Sequence, residues 1–236
     1  MNVTPSMSTP SNPPSRPLTP AELALVATVH MDRESFRTLR DLLVALSPSV
    51  IATEMSAYGI RFRRTRGRQI QAAIRRYLRR SGSTLDRAGE LAATMILLRF
   101  PFEYLAARQA ARKVGVPIVN LGRDRDSAAW LGRLGQAEWD ERRMAAMAAA
   151  PRNLKAELDV ERRRAVGMSI PPIRPGPRDR VYARRIGGLA KAEGGVAAVL
   201  GWEHVAPRVS GNAAWILHDS PLQIWIVSGG KVYRSG

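Results

Sequence analysis

The sequence predicts an α/β protein, with a mainly parallel central sheet flanked by helices, a helical cap insertion and a C-terminal hairpin. Three observations carry this reading. Short apolar runs of strand length end in ionisable residues, and segments of helical period and crossover length separate them. The chain has 236 residues, of which 45% are hydrophobic, enough for one domain with a substantial core.

The elements follow in order. Residues 1–20, rich in Ser, Thr, Asn and Pro, lack the basic and apolar regions of a signal peptide and are expected to be a disordered tail, leaving 21–236 as a single domain. Leu23 to Val29 is too short for a helix and reads as a buried strand ending in His30. Asp32 can cap the next segment, where Phe36, Leu39, Leu42, Leu43 and Leu46 recur at helical spacing until Pro48 stops it. Val50 to Thr53 is a second strand and delivers Glu54. Strand, helix and strand with these connections make a βαβ unit, in which the two strands run parallel and their carboxyl ends lie together.

Residues 56–80 are helical and intensely basic, with nine arginines from Arg61 to Arg80 and no acid among them. Pro101 opens a helix carrying Phe102, Leu105, Ala106 and Ala110 on one side, with Gly115 past its end. Val116 to Leu121 is a third strand, reaching Asp124. From Ser127 to Arg164 the pattern gives two or three alanine-rich helices broken near Pro151, a cap insertion over about residues 127–165. The prolines between Met168 and Pro177 mark a loop. Pro177 then starts a helix with Tyr182, Ile186 and Leu189 on one face, ended by Gly194 and Gly195. Val196 to Leu200 is a fourth strand, running into Gly201, Trp202, Glu203 and His204. Two apolar bursts, Ala213 to Leu217 and Leu222 to Val227, are expected to close the fold as a hairpin, with His218 in the exposed turn between them.

Composition narrows the chemistry. Without cysteine there are no disulfides, thiolate metal sites or cysteine nucleophiles, which fits a reducing cytoplasm. Leu91 to Phe102, the longest apolar run near the middle, is interrupted by Arg99 and falls short of the ~20 residues that span a bilayer. Lysine and arginine number 37 against 20 acids, a formal charge of +17, which raises nucleic acid, anionic membranes and acidic substrates as partners. Arginine supplies 33 of the 37, and a GC-rich coding sequence also explains such an excess.

His30, Glu54, Asp124 and His204 each fall at or just past the carboxyl end of an expected strand, the rim where open parallel sheets bind ligands. Imidazoles and carboxylates suit zinc, manganese, cobalt or iron. Each also has an ordinary reading. A single histidine can be a hydrogen-bonded structural residue, and Asp124 and Asp126 alternate with arginines as in a solvated ion-pair lattice. Glu203 is expected to point away from His204 if the strand stays extended. Trp202, Trp215 and Trp225 fit core better than a pocket lining.

Taken together, Ala27-Thr28-Val29-His30, Glu54 on the next strand, and Gly201-Trp202-Glu203-His204 resemble the TraB/PrgY family, related to Tiki proteases and erythromycin esterases. Phe102-Glu103-Tyr104-Leu105-Ala106-Ala107, with Ala110, Ala111 and Gly115, is similar to that family's helix in which a glutamate precedes spaced alanines. Asp124-Arg125 and Arg178-Asp179 are similar to its Asp-Arg and Arg-Asp pairs. Ala27 departs from the motif, which has glycine there, and the membrane-spanning C-terminal region of some relatives is missing.

The resemblance implies a metal-dependent hydrolase of peptide or ester bonds. In that reading His30, Glu54 and His204 hold a divalent Mn, Co, Zn or Fe, Glu103 accepts the proton of the attacking water, and Arg178 or Arg108 stabilises the charge on the carbonyl oxygen. Glu103 can equally be a ligand and Glu54 the base. Tyr58, Asp124 and Arg125 are the candidates for contact with a peptide or small-molecule substrate. Two other functions remain open: a protein of the same fold that sequesters a ligand without turnover, and a nucleic-acid-binding protein using Arg61 to Arg80, where Phe62 and Tyr77 alone interleave as aromatics.

Overall fold

The apolar runs at residues 23, 50, 118 and 196 become parallel strands, and their order in the sheet decides where a site can form. In a computed structural model, residues 10–12, 14, 16–167, 176–205 and 211–235 are described. The elements in chain order are β1 (Leu23–Thr28), α1 (Phe36–Leu46), β2 (Val50–Thr53), α2 (Ala57–Arg64), α3 (Arg66–Ser81), α4 (Gly89–Leu97), α5 (Phe102–Val114) and β3 (Ile118–Asn120). These are followed by α6 (Asp124–Gln136), α7 (Glu141–Ala149), α8 (Leu154–Ala165), α9 (Pro177–Glu193), β4 (Val196–Gly201), α10 (Ala213–Ile216), β5 (Leu222–Ser228) and β6 (Lys231–Ser235).

The chain divides into two compact units, Met1–Glu54 with Phe102–Leu121 and Leu158–Gly236, and Met55–Pro101 with Gly122–Glu157. The insertion expected at about 127–165 falls partly in each of these units. The second unit also takes in the basic segment, because its helices share a core of their own built from Phe62, Ile70, Ile74, Leu91, Met95 and Leu131.

In the first unit the sheet order is β3-β2-β4-β1-β5-β6, all parallel except the antiparallel pair β5 and β6. β1 and β2 are parallel, as a βαβ unit requires, but they are not neighbours: β4 lies between them and bonds to both. Alternation along each strand feeds two cores. Leu23, Leu25, Ala27, Val196, Ala198 and Leu200 pack with Tyr182, Ala183 and Ile186 of α9, while Ala24, Val26, Ile51, Ala197 and Val199 pack with α1 and α5.

Several expectations change in detail. Of the tail expected over residues 1–20, Ser11 donates its N–H to the Val232 carbonyl at 2.8 Å and Leu18 donates to Leu46 at 2.8 Å, so its described end is bound to the sheet unit. Leu105 is exposed and the buried side of α5 is Phe102, Ala106, Ala107, Ala110 and Ala111. The hairpin forms from β5 and β6 around Gly229 and Gly230, whereas Ala213–Ile216 is a helical turn, since a run that short fits either conformation. Trp202 and Trp225 are both buried but in different cores, so no tryptophan row exists between them. The proline-rich loop expected after Met168 lies, apart from its end, outside the described residues.

In the second unit α2 and α3 join at Thr65, and their apolar sides face the shared core. Gly89 starts α4 at φ +45°, where a Cβ would come within 1.8 Å of the Ala150 carbonyl oxygen at the end of α7. Among the described residues no helix is long and apolar enough to cross a membrane.

Candidate functional site

Because β4 lies between β1 and β2, the carboxyl ends of three adjacent parallel strands present His30, Glu54, and the pair Glu203 and His204 together. Each exit has its own device. β1 ends in a turn closed by the Asp32 N–H on the Val29 carbonyl at 3.1 Å, with Met31 at φ +71°, a left-handed conformation that a side chain rarely adopts. Asp32, fully buried beneath it, accepts from the Ser35 hydroxyl and the Gly229 N–H, each at 2.7 Å, and pairs with Arg162.

After β4 the backbone coils into a short 3-10 turn, Trp202–His204, instead of continuing extended. The alternation that would send Glu203 to the opposite face therefore ends at Gly201. Glu203 turns back so that its Oε1 lies 4.0 Å from His30 Nε2 and 3.9 Å from His204 Nε2. Gly201 makes room for this: a Cβ there would fall 2.9 to 3.0 Å from the Glu203 carboxylate, and its N–H donates to Glu54 Oε1. The Trp202 indole N–H, donating to Glu161 at 2.8 Å, anchors the same turn.

Glu54 faces both imidazoles, with Oε2 4.0 Å from His30 Nε2 and Oε1 3.8 Å from His204 Nε2. The other nitrogen of each ring is held by a carboxylate from the first turn of a helix. Glu103 of α5 contacts His30 Nδ1 at 2.7 Å, and Asp179 of α9 contacts His204 Nδ1 at 2.9 Å. Asp179 is buried and also accepts the Gly176 N–H at 2.6 Å. Tyr182 packs edge-on against the His204 ring, centroids 5.2 Å apart.

The charge balance of this cluster is unusual for the chain. Four carboxylates surround two imidazoles, and in a sequence of 33 arginines none of the four pairs with an arginine or lysine among the described residues. Crowding by the cluster strips some water from His30 and disfavours its charge, although half of the side chain stays exposed; the bond to Glu103 and the fields of Glu103, Glu54 and Glu203 outweigh this and raise its pKa to about 10. Burial likewise opposes the charge on His204, and Asp179, Glu54 and Glu203 raise it all the same. Glu54 is pushed up by burial and by Glu203, against the pull of the two imidazoles and the Gly201 N–H.

The donor set fits a divalent cation by two observations. With Nδ1 engaged by a carboxylate, each ring turns Nε2 toward the others, the arrangement that orients metal-binding histidines. The facing groups also stand 3.8 to 4.0 Å apart instead of closing to hydrogen bonds. Two donors of one ion at ~2.1 Å each lie at most about 4.2 Å apart, and about 3.4 Å in a tetrahedron. As they stand, no three described histidine or acid side chains enclose an ion. One oxygen of Glu103 is also buried without a partner among the described residues.

The other sequence candidates lie elsewhere. Arg178 is exposed and Arg108 half-buried, and neither bonds to a cluster residue among the described residues. Tyr58, Asp124 and Arg125 belong to the second unit, where Asp124 accepts the Tyr58 N–H at 2.7 Å and stands 3.5 Å from Arg61, while Arg125 stands 3.6 Å from Asp126. Residue 27 is an ordinary strand residue, paired with Leu200 and Ile226, its methyl buried in the core, so nothing at that position demands glycine. Sequence reasoning missed Glu203 and gave Asp179 no role of its own. The signals available were the glycine two residues before Glu203 and the Pro177 start that puts Asp179 in a first helical turn.

Comparison with protein-family models, curated proteins and solved structures found no match to the chain.

Proposed function

We propose that the protein is a metal-dependent hydrolase of the TraB/PrgY type, cleaving a peptide or ester bond. The observation that carries this is that Glu54, Glu203 and the Nε2 atoms of both imidazoles face one gap, with Glu103 and Asp179 behind the rings and no arginine or lysine among the described residues paired with any of the four carboxylates. His30, His204 and Glu54 would hold a Mn, Co, Zn or Fe ion. Such an ion, when bound, lowers the pKa of water from about 15.7 toward about 7.

The chain's own residues divide the remaining work. Glu103 and Asp179 engage Nδ1 of each ring and hold it with Nε2 facing the gap, where an ion would take the place of the Nε2 proton. In this reading Glu103 positions the ring and leaves proton transfer to another group. Glu203, whose side chain at 36% exposure is the most open of the four carboxylates, accepts the proton of the attacking water and returns it to the leaving group.

Protein purified without chelators and analysed for elements should carry one of these metals, and hydrolysis should be found in a library of peptides and esters. His30→Ala and His204→Ala should each abolish retention, whereas Glu203→Gln should keep metal and lose turnover. If none of the four metals is retained, and adding each of them leaves the melting temperature unchanged, the proposal fails. Tight metal retention with no turnover of any substrate would favour a sequestering protein.

A further inference from the structure

The helical unit contains a groove of about 420 Å3 whose lining includes Arg66, Gln69 and Arg76 from α3 and Glu138 and Trp139 from the segment after α6. Its surroundings are strongly cationic. From residue 55 to 85 the sequence has no acid, and of the nine arginines there, all but Arg63 are exposed. Among the described residues Arg61 alone of those eight is paired with a carboxylate, that of Asp124 at 3.5 Å. Arg63 is spent inside the unit, donating to the Arg99 and Gly59 carbonyls.

We propose that this groove and the arginine row continuing from it bind single-stranded nucleic acid, a function separate from the hydrolase. Helical spacing puts Gln69, Ala73, Arg76 and Arg80 in one row, and eleven residues at ~1.5 Å per residue extend it about 16 Å, long enough to meet successive phosphates of one strand. Phosphates meet the guanidinium groups along that row. Phe62 and Tyr77, the aromatics that interleave with the arginines in sequence, are buried in the core and unavailable for stacking. Trp139 supplies the missing platform from a distant part of the chain. It lines the groove, its ring is fixed by an N–H bond to the Leu134 carbonyl at 3.0 Å, and Arg143 lies 5.4 Å from the ring centroid. Gln69 and Glu138 offer hydrogen-bonding groups to base edges beside it.

The same observations argue against the other polyanions. Duplex keeps its bases stacked inside and offers Trp139 nothing to stack on. Membrane insertion needs exposed apolar side chains, yet the apolar side of α3 is buried, and Leu97 is the one large exposed hydrophobic residue among those described in this unit.

The test is fluorescence anisotropy on the full chain, with labelled oligouridylate and oligothymidylate of about ten nucleotides, a duplex of equal length, and vesicles containing anionic lipid. Single strands should bind most tightly, with affinity falling with salt by a logarithmic slope of about −0.7 per phosphate engaged. Arg76→Ala combined with Arg80→Ala, both exposed positions, should weaken binding about tenfold and flatten that slope. Trp139→Ala should weaken it roughly tenfold at unchanged slope, and Trp139→Phe, which preserves packing, should largely restore it. Four results would overturn the proposal: duplex binding as well as single strand, vesicles binding in place of oligonucleotides, no oligonucleotide binding at low salt, or indifference to the arginine pair.

Discussion

His30 and His204 present the same atom to the same two carboxylates, yet the protein around them differs. The His204 side chain is 12% exposed, leans on Tyr182, and is held by an aspartate that is itself buried and tied to the Gly176 N–H at the start of α9. The His30 side chain is 50% exposed, stands on a turn with a left-handed residue beside it, and is held by Glu103, one of whose oxygens has no partner among the described residues. The cluster therefore has a fixed half and an accessible half. Under the proposed function, His204 is expected to anchor the ion and His30 to mark the side from which substrate arrives.

The largest test of this difference is removal of the supporting carboxylates. Changes to such outer partners cost about 10- to 100-fold in metal affinity. Asp179→Asn is expected near the upper end and Glu103→Gln near the lower, measured by competition with a chromophoric chelator. Asp179→Asn should also cost about 2 kcal/mol of stability by denaturant titration, because a charged acceptor of two hydrogen bonds is weakened. Equal losses from both variants would erase the distinction.

Titration sharpens the same comparison in the metal-free protein. His30 should titrate near 10, against about 6.5 for an unperturbed imidazole, as followed by NMR of the ring protons. A raised folded-state pKa means that the contribution of His30 to stability is complete below about 6.5 and disappears as pH rises through about 10. His204 shifts in the same direction. Glu103→Gln should return His30 toward the unperturbed value and leave His204 where it is.

The smallest expected effect is at residue 27. Ala27→Gly, which introduces the glycine of the TraB/PrgY motif that this segment resembles, should lower stability by about 1 kcal/mol through lost strand entropy and a vacated methyl site. It should not change metal retention. A gain in retention would mean that the methyl disturbs the His30 turn.

The sequence made much of this legible because each strand is a short aliphatic run and each run ends at an ionisable residue. β1, β2 and β4 are bounded almost where the apolar runs are, and α9 begins at Pro177 and stops at Gly194 as their backbone preferences dictate. What stayed hidden was non-local. No local pattern says that β4 inserts between β1 and β2, nor that tryptophans at 202 and 225 fall in different cores. Glu203 was misplaced because period-two alternation was extended past the point where the strand coils. The second unit escaped notice because its two chain segments, separated in sequence by α5 and β3, come together only in the folded core that they share.

The central place of β4 also governs when the protein can mature. On the ribosome β1 and β2 emerge early, but neither can pair with the other, and each waits with a bare edge until residues 196–201 have been synthesised and slot between them. Nascent chains stalled before that point should remain protease-sensitive in their sheet segments and prone to self-association, so the rim cannot begin to work before nearly the whole polypeptide has been made.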